Sequence, residues 1–183
     1  LSRGLGDVYK RQIQEGDSIG GIIECVVEGM MPGIGEPVFD KLDASLGKAM
    51  LSIGAVKGFE IGSGFEAAKM TGSENNDSFV MKDGKFTKKT NHAGGVLGGM
   101  SDGSNIVFRA AVKPTPSISA VQDTVNKDGE NIEISIKGRH DPMIVPRAVV
   151  VVEAMTALTL VDLIFENMTA RLDGICAFYN RSK

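Results

Sequence analysis

The sequence predicts an α+β fold, an α/β-type layered sandwich, on three observations. Short β-branched segments alternate with helix-periodic ones, glycine-rich stretches separate them, and one apolar run is long enough for a core helix. At 183 residues the chain can bury a sizeable core as one domain, and no linker-like shift in composition divides it.

Each element follows from its residues. "GGIIECVVEG" is β-branched with alternating larger apolar residues and reads as a strand over residues 21–28. "MPGIGEP" breaks the chain. Pro37 suits the first position of a helix, and Val38, Leu42, Leu46 and Met50 then recur every four residues, predicting a helix over residues 36–50 with one buried face. "AVKGFEIG" is a short strand, followed by a small helix over residues 65–70 with Gly72 placed to end it. Residues 73–91 are polar and expected to be the most mobile part. Within them the Asp-Gly pair of "FVMKDGKFT" signals a hairpin. "NIVFRAAVK" returns to a strand, and "TVNKDGENIEISIKG" carries a second Asp-Gly turn before an alternating strand. After "DPMIVP" a helix of about 25 residues is expected, starting near Pro146 and ending before Gly174.

Composition removes several function classes. Twenty basic against 23 acidic residues, only 5% aromatics and no tryptophan argue against nucleic-acid binding, so any bound anion must be held by a local cluster. Two distant cysteines without a CxxC pair suggest neither a disulfide framework nor a zinc site, and two histidines with scattered acids suggest no metal. A reducing cytoplasm is expected. Glu153 and Asp162 interrupt the apolar run, each costing about 3 kcal/mol near a bilayer centre, so it reads as a core helix and no membrane partner is expected. The first residues show no apolar signal region.

Glycine is the outlier, at 23 residues gathered in "DSIGG", "VKGFEIGSGF" and "NHAGGVLGGMSDGS". These match neither GxGxxG nor GxxxxGK[ST] spacing, so nucleotide-binding loops of those kinds are not indicated. Three constellations remain. In "KPTPSI", Lys113 offers a charge and Thr115 and Ser117 hydroxyls on a backbone stiffened by Pro114 and Pro116, which suits a phosphate. A solvated Pro-rich turn has the same letters. In "NHAGGVLGGMSDG" the glycines allow a planar ligand or phosphate to approach the backbone, as would any tight turn. In "GRHDPMIVPR", Arg139 could pair with a phosphate or carboxylate and Asp141 could accept a proton; the alternative is a salt-bridged helix entry.

All three stretches occur together and in order. "DSIGG", "GIGEPVFDKLDASLGKAMLSIGAVKGFEIGSGF", "TNHAGGVLGGMSDGSNIVFRAAVKPTPSIS" and "KGRHDPMIVPRAVVVVEAM" closely resemble successive blocks of the chorismate synthase family, from residue 13 to residue 173. The resemblance implies a lyase of the shikimate pathway that converts 5-enolpyruvylshikimate 3-phosphate to chorismate and phosphate by 1,4-anti elimination. It also implies dependence on reduced FMN, with NADPH a candidate reductant, and a cytoplasmic homotetramer. Carried over residue by residue, it implies flavin contacts at Gly54, Ala55, Gly98, Lys113, Pro114, Thr115, Pro116, Ser117 and Arg139. It further implies that Arg139 is shared with the substrate and that Asp141 assists hydrogen removal. Gly54 stands where many relatives carry Asn.

The family's GxSHG, RPGHAD and Ser-rich RSS/RET segments, which supply its acid/base histidines, do not occur here, and neither His92 nor His140 replaces them. Residues 1–12, "LSRGLGDVYKRQ", do not fit the family and are expected to be an unrelated leader. Residues 13–183 would then be the family domain, truncated on its amino-terminal side and inactive alone. The other reading is a non-catalytic flavin- or phosphate-binding fragment.

Overall fold

Alternation along one strand organises the layers. The computed structural model describes residues 2–82, 84–138 and 141–180, in which Ile106, Phe108, Ala110 and Val112 are buried while the residues between them face outward. In chain order the elements are α1 (Ser2–Glu15), β1 (Gly21–Val27), α2 (Leu42–Ser52), β2 (Val56–Ile61), a 3-10 turn (Gly64–Lys69), α3 (Gly72–Asn75), β3 (Phe79–Lys82), β4 (Lys85–Lys88), β5 (Val96–Leu97), β6 (Met100–Ser101), β7 (Ile106–Val112), β8 (Gln122–Val125), β9 (Asn131–Ile134), α4 (Val145–Met168) and α5 (Leu172–Asn180).

β7 is the centre of a three-stranded antiparallel sheet ordered β1-β7-β2. Its register sets Ile23 opposite Ala110 and Cys25 opposite Phe108 on one side, and Phe59 opposite Ala110 on the other. These side chains share a face, and α2 and α4 cover it. α2 contributes Leu42, Leu46 and Met50, all fully buried, and α4 contributes a stripe of Val152, Thr156, Leu160 and Leu163. The result is the two-layer α+β arrangement expected. On the opposite face of the sheet, Ile22 and Val26 are exposed and Arg109 pairs with Glu60 at 2.8 Å. The hairpins β3–β4, β5–β6 and β8–β9 stand apart as two-stranded units; β3–β4 and β8–β9 are the two hairpins read from the sequence, the second turning through Asp128-Gly129, while Asp83 of the first lies outside the described residues.

Three boundaries differ from the sequence reading. The helix expected over residues 36–50 begins at Leu42, leaving Val38 exposed at 70%. Glu36 instead bonds to Asp40 in a turn, and the Leu42 amide donates to the Gly99 carbonyl, which fixes the start by a long-range contact. The small helix after β2 is a 3-10 turn. Gly72 opens α3 rather than ending a helix, because Glu74 Oε2 accepts from the Thr71 amide at 2.8 Å and holds the new turn from its front. The long helix has the expected extent, 24 residues from Val145 to Met168; it stops where both the amide and the hydroxyl of Thr169 donate to the Glu166 carbonyl, and Gly174 lies inside the separate helix α5. α4 is long and apolar enough to cross a membrane; one side packs on the sheet, while Val150, Leu158, Phe165 and Met168 on the other are exposed.

Candidate functional site

Antiparallel pairing brings the starts of β1 and β2 to the end of β7, because Gly21 and Val56 both lie opposite Val112. The residues flanking these ends therefore meet. The Lys113 amide donates to the Ala55 carbonyl at 2.9 Å, joining "KPTPS" to "GAVKG". Ala55 takes φ 71°, a left-handed conformation in which a side chain is strained, and its neighbour Gly54 has open space where a Cβ would stand. Lys113 is exposed, and none of the ion pairs found among the described residues involves it. Pro114 and Pro116 hold the loop on either side of Thr115, whose carbonyl accepts from Ser18 Oγ at 2.6 Å. Ser117 is half-buried in the same loop.

Asp141 joins this end through its neighbour. The Ile19 amide donates to the Pro142 carbonyl at 2.9 Å, which sets the turn before α4 beside the segment leading into β1. Asp141 is largely buried. Its Oδ1 accepts from the Met143 amide at 3.3 Å, and its Oδ2 lies 3.1 Å from Arg147 Nη2 without hydrogen-bond alignment. A salt-bridged helix entry is thus present, with the Arg147 side chain 78% exposed, and Asp141 Oδ2 has no hydrogen-bond donor among the described residues beyond that ion pair. Arg139 and His140 lie outside the described residues. A cavity of about 370 Å³ opens alongside, lined by Gly16, Asp17, Ser119, Gly138 and Pro142 on one side and by α1 on the other.

Gly98 is not brought to this place within one chain. It sits in the turn between β5 and β6 with φ 59° and open space at its Cβ position, next to Gly99, which holds the start of α2. That is the Ile106 end of β7. Seven strand residues at about 3.3 Å each put roughly 20 Å between it and Lys113.

At the Ile106 end the polar chemistry is structural. Asp77 accepts from the amides of His92 and Ala93 and from Thr90 Oγ1. Burial opposes its charge, but these bonds and Lys88 outweigh that and hold its carboxyl below the usual value. Asp102 is likewise opposed by burial and held below the usual value by Lys88 and Ser104, the Lys88–Asp102 pair being almost fully enclosed. His92 Nδ1 is hydrogen-bonded to Ser63 Oγ at 2.9 Å. On β1, burial pushes the Cys25 thiol up, away from reactivity. Sequence reasoning missed Ser18 and Gly20, whose only signal was the glycine pair of "DSIGG".

Comparisons with known proteins bear on the family and the fold. The family profile described as chorismate synthase matches residues 5–165. The chorismate synthase of Lachnospira eligens is 78% identical over 166 residues, which are 91% of this chain and 45% of that protein. The enzyme of Agathobacter rectalis is 66% identical over 90% of the chain, and that of Methanosarcina mazei 65% over 81%. A solved crystal structure of chorismate synthase superposes with a TM-score of 0.73 at 32% identity, covering 91% of this chain and 44% of the other. The chain therefore spans less than half the length of the relatives it matches. With four sequence blocks, the layered fold and a profile over most of its length in agreement, the chain belongs to the chorismate synthase family.

Proposed function

We propose that this chain carries part of the cofactor- and phosphate-holding machinery of a chorismate synthase, whose whole protein eliminates phosphate from 5-enolpyruvylshikimate 3-phosphate to give chorismate. The observation that supports it is the meeting of Gly54, Ala55, Lys113–Ser117 and Asp141 at one end of the sheet, from segments far apart in sequence.

The residues present fit a flavin mononucleotide. Gly54 leaves space for a flat group against the backbone, and Lys113, exposed and in none of the ion pairs among the described residues, supplies a positive charge for a phosphate. The prolines keep that charge aimed without a large ordering cost on binding. When bound in reduced form, the flavin supplies transient electron density while the reaction has no net redox change. Lys113 would neutralise anionic charge, and Asp141, whose Oδ2 is paired with Arg147 but has no hydrogen-bond donor among the described residues, would accept a proton leaving the substrate ring. Arg139, two residues before Asp141, would be shared between flavin and substrate. NADPH as reductant, a cytoplasmic homotetramer and the absence of nucleic-acid and membrane partners complete the reading. Turnover by the 183 residues alone is expected to be far below that of an intact relative.

A chimaera tests this. Residues 13–173 replace the matching segment of the Lachnospira eligens enzyme, and phosphate release is followed anaerobically with reduced FMN. Turnover within tenfold of that enzyme is expected, and Asp141→Asn in the chimaera should lower kcat by about 10²–10⁴ while keeping FMN affinity. A folded chimaera without turnover, or an Asp141→Asn variant at full rate, would sink the corresponding assignment.

A further inference from the structure

At the Val112 end of the sheet the segment Gly16–Gly20 touches the loop after β7, the turn before α4 and the end of β7 itself. Gly16 offers its carbonyl to the amides of Ser119 and Ala120, both at 3.0 Å, closing the far side of the "KPTPSISA" loop. Ile19 holds Pro142, next to Asp141, through its amide. Gly20 runs so close to β7 that an added Cβ would overlap the Val112 carbonyl oxygen and crowd Lys113 and Pro114. Between them Ser18 Oγ donates to the Thr115 carbonyl at 2.6 Å, across 97 residues of sequence.

That bond is made where the loop has least support of its own. Pro114 and Pro116 have no amide hydrogen, so the loop gives up two backbone donors around Thr115, and a hydroxyl from another segment grips its carbonyl. We infer that Ser18 is a positioning residue for the Lys113–Ser117 loop, fixing the loop's shape so that its charge and hydroxyls stay aimed at a phosphate-bearing ligand. This rests on the flavin-holding role proposed above. The Ser18 side chain acts through the Thr115 carbonyl rather than by touching the ligand.

The test compares wild type, Ser18→Ala, Ser18→Thr and Ser135→Ala in the 183-residue chain. Ser135→Ala is the control, since Ser135 Oγ donates to the Ser119 carbonyl at 2.7 Å and its loss removes a like bond from the distal side of the same loop. FMN affinity is read by fluorescence titration and loop order by hydrogen exchange of the Lys113, Thr115 and Ser117 amides. Expected for Ser18→Ala is at least threefold weaker FMN binding and at least threefold faster exchange, with Ser18→Thr and Ser135→Ala within twofold of wild type. Unchanged binding and exchange in Ser18→Ala, failure of threonine to rescue, or an equal effect of Ser135→Ala would each overturn the inference. If wild type itself binds no FMN, the flavin-holding reading falls for this chain. Exchange then decides the positioning of Thr115 alone, with unchanged rates in Ser18→Ala overturning it.

Discussion

The two ends of β7 are built from the same letters and differ in what encloses them. At the Ile106 end, Gly62, Gly94 and Gly95 all have positive φ, and a Cβ on any of them would overlap a neighbouring backbone. Asp77 takes three hydrogen bonds there, and Lys88 and Asp102 form an enclosed pair. At the Val112 end, Gly54 meets open space and Lys113 is exposed. Those three glycines and these charges are consumed by the fold, whereas Gly54 and Lys113 stay open to solvent; Gly20 at the second end is packed against β7 and Gly98 at the first is open, so position alone does not decide enclosure. A glycine-rich, charged sequence thus says little about binding until its enclosure is known.

The largest expected contrast is between glycines. Gly62→Ala places a methyl against the His92 carbonyl in a left-handed conformation and should cost more than about 4 kcal/mol, leaving the chain poorly folded. Gly54→Ala should change the unfolding free energy read in urea by only about 0.5 kcal/mol or less, while weakening FMN binding. A mild Gly62→Ala would erase the distinction between the two ends.

Next come the lysines. Lys88→Met leaves Asp102 enclosed without its partner and should cost about 3 kcal/mol, read by denaturant unfolding. Lys113→Met should leave stability nearly unchanged and lower FMN affinity by about 10-fold or more, because it removes a charge-assisted contact rather than a packed one. Equal stability losses in the two variants would contradict the comparison.

The smallest effect is on acid stability. Asp77 and Asp102 have folded pKa values below the ordinary 3.8. Their contribution is complete above that unfolded value and disappears as pH falls through the lower folded values. Thermal midpoints should therefore fall from about pH 5 downward, and Asp77→Asn should make that fall shallower. An unaltered slope in Asp77→Asn would show that its three hydrogen bonds do not favour the charged form.

Local rules in the sequence determined the three strands of the main sheet, the hairpins β3–β4 and β8–β9 and the Leu42–Leu46–Met50 face, but not the short pair β5–β6, since alternation, turn chemistry and helical period act over a few residues. The family blocks also named Lys113–Ser117 and Asp141 before any geometry. Tertiary structure alone decided where α2 begins, because the Leu42 amide is satisfied by Gly99, 57 positions later in the chain numbering. It alone separated Gly98 from Lys113 by the length of β7, and it alone showed Ser18 gripping Thr115. Such bonds join segments whose meeting depends on sheet order and register, and no local pattern of residues encodes that.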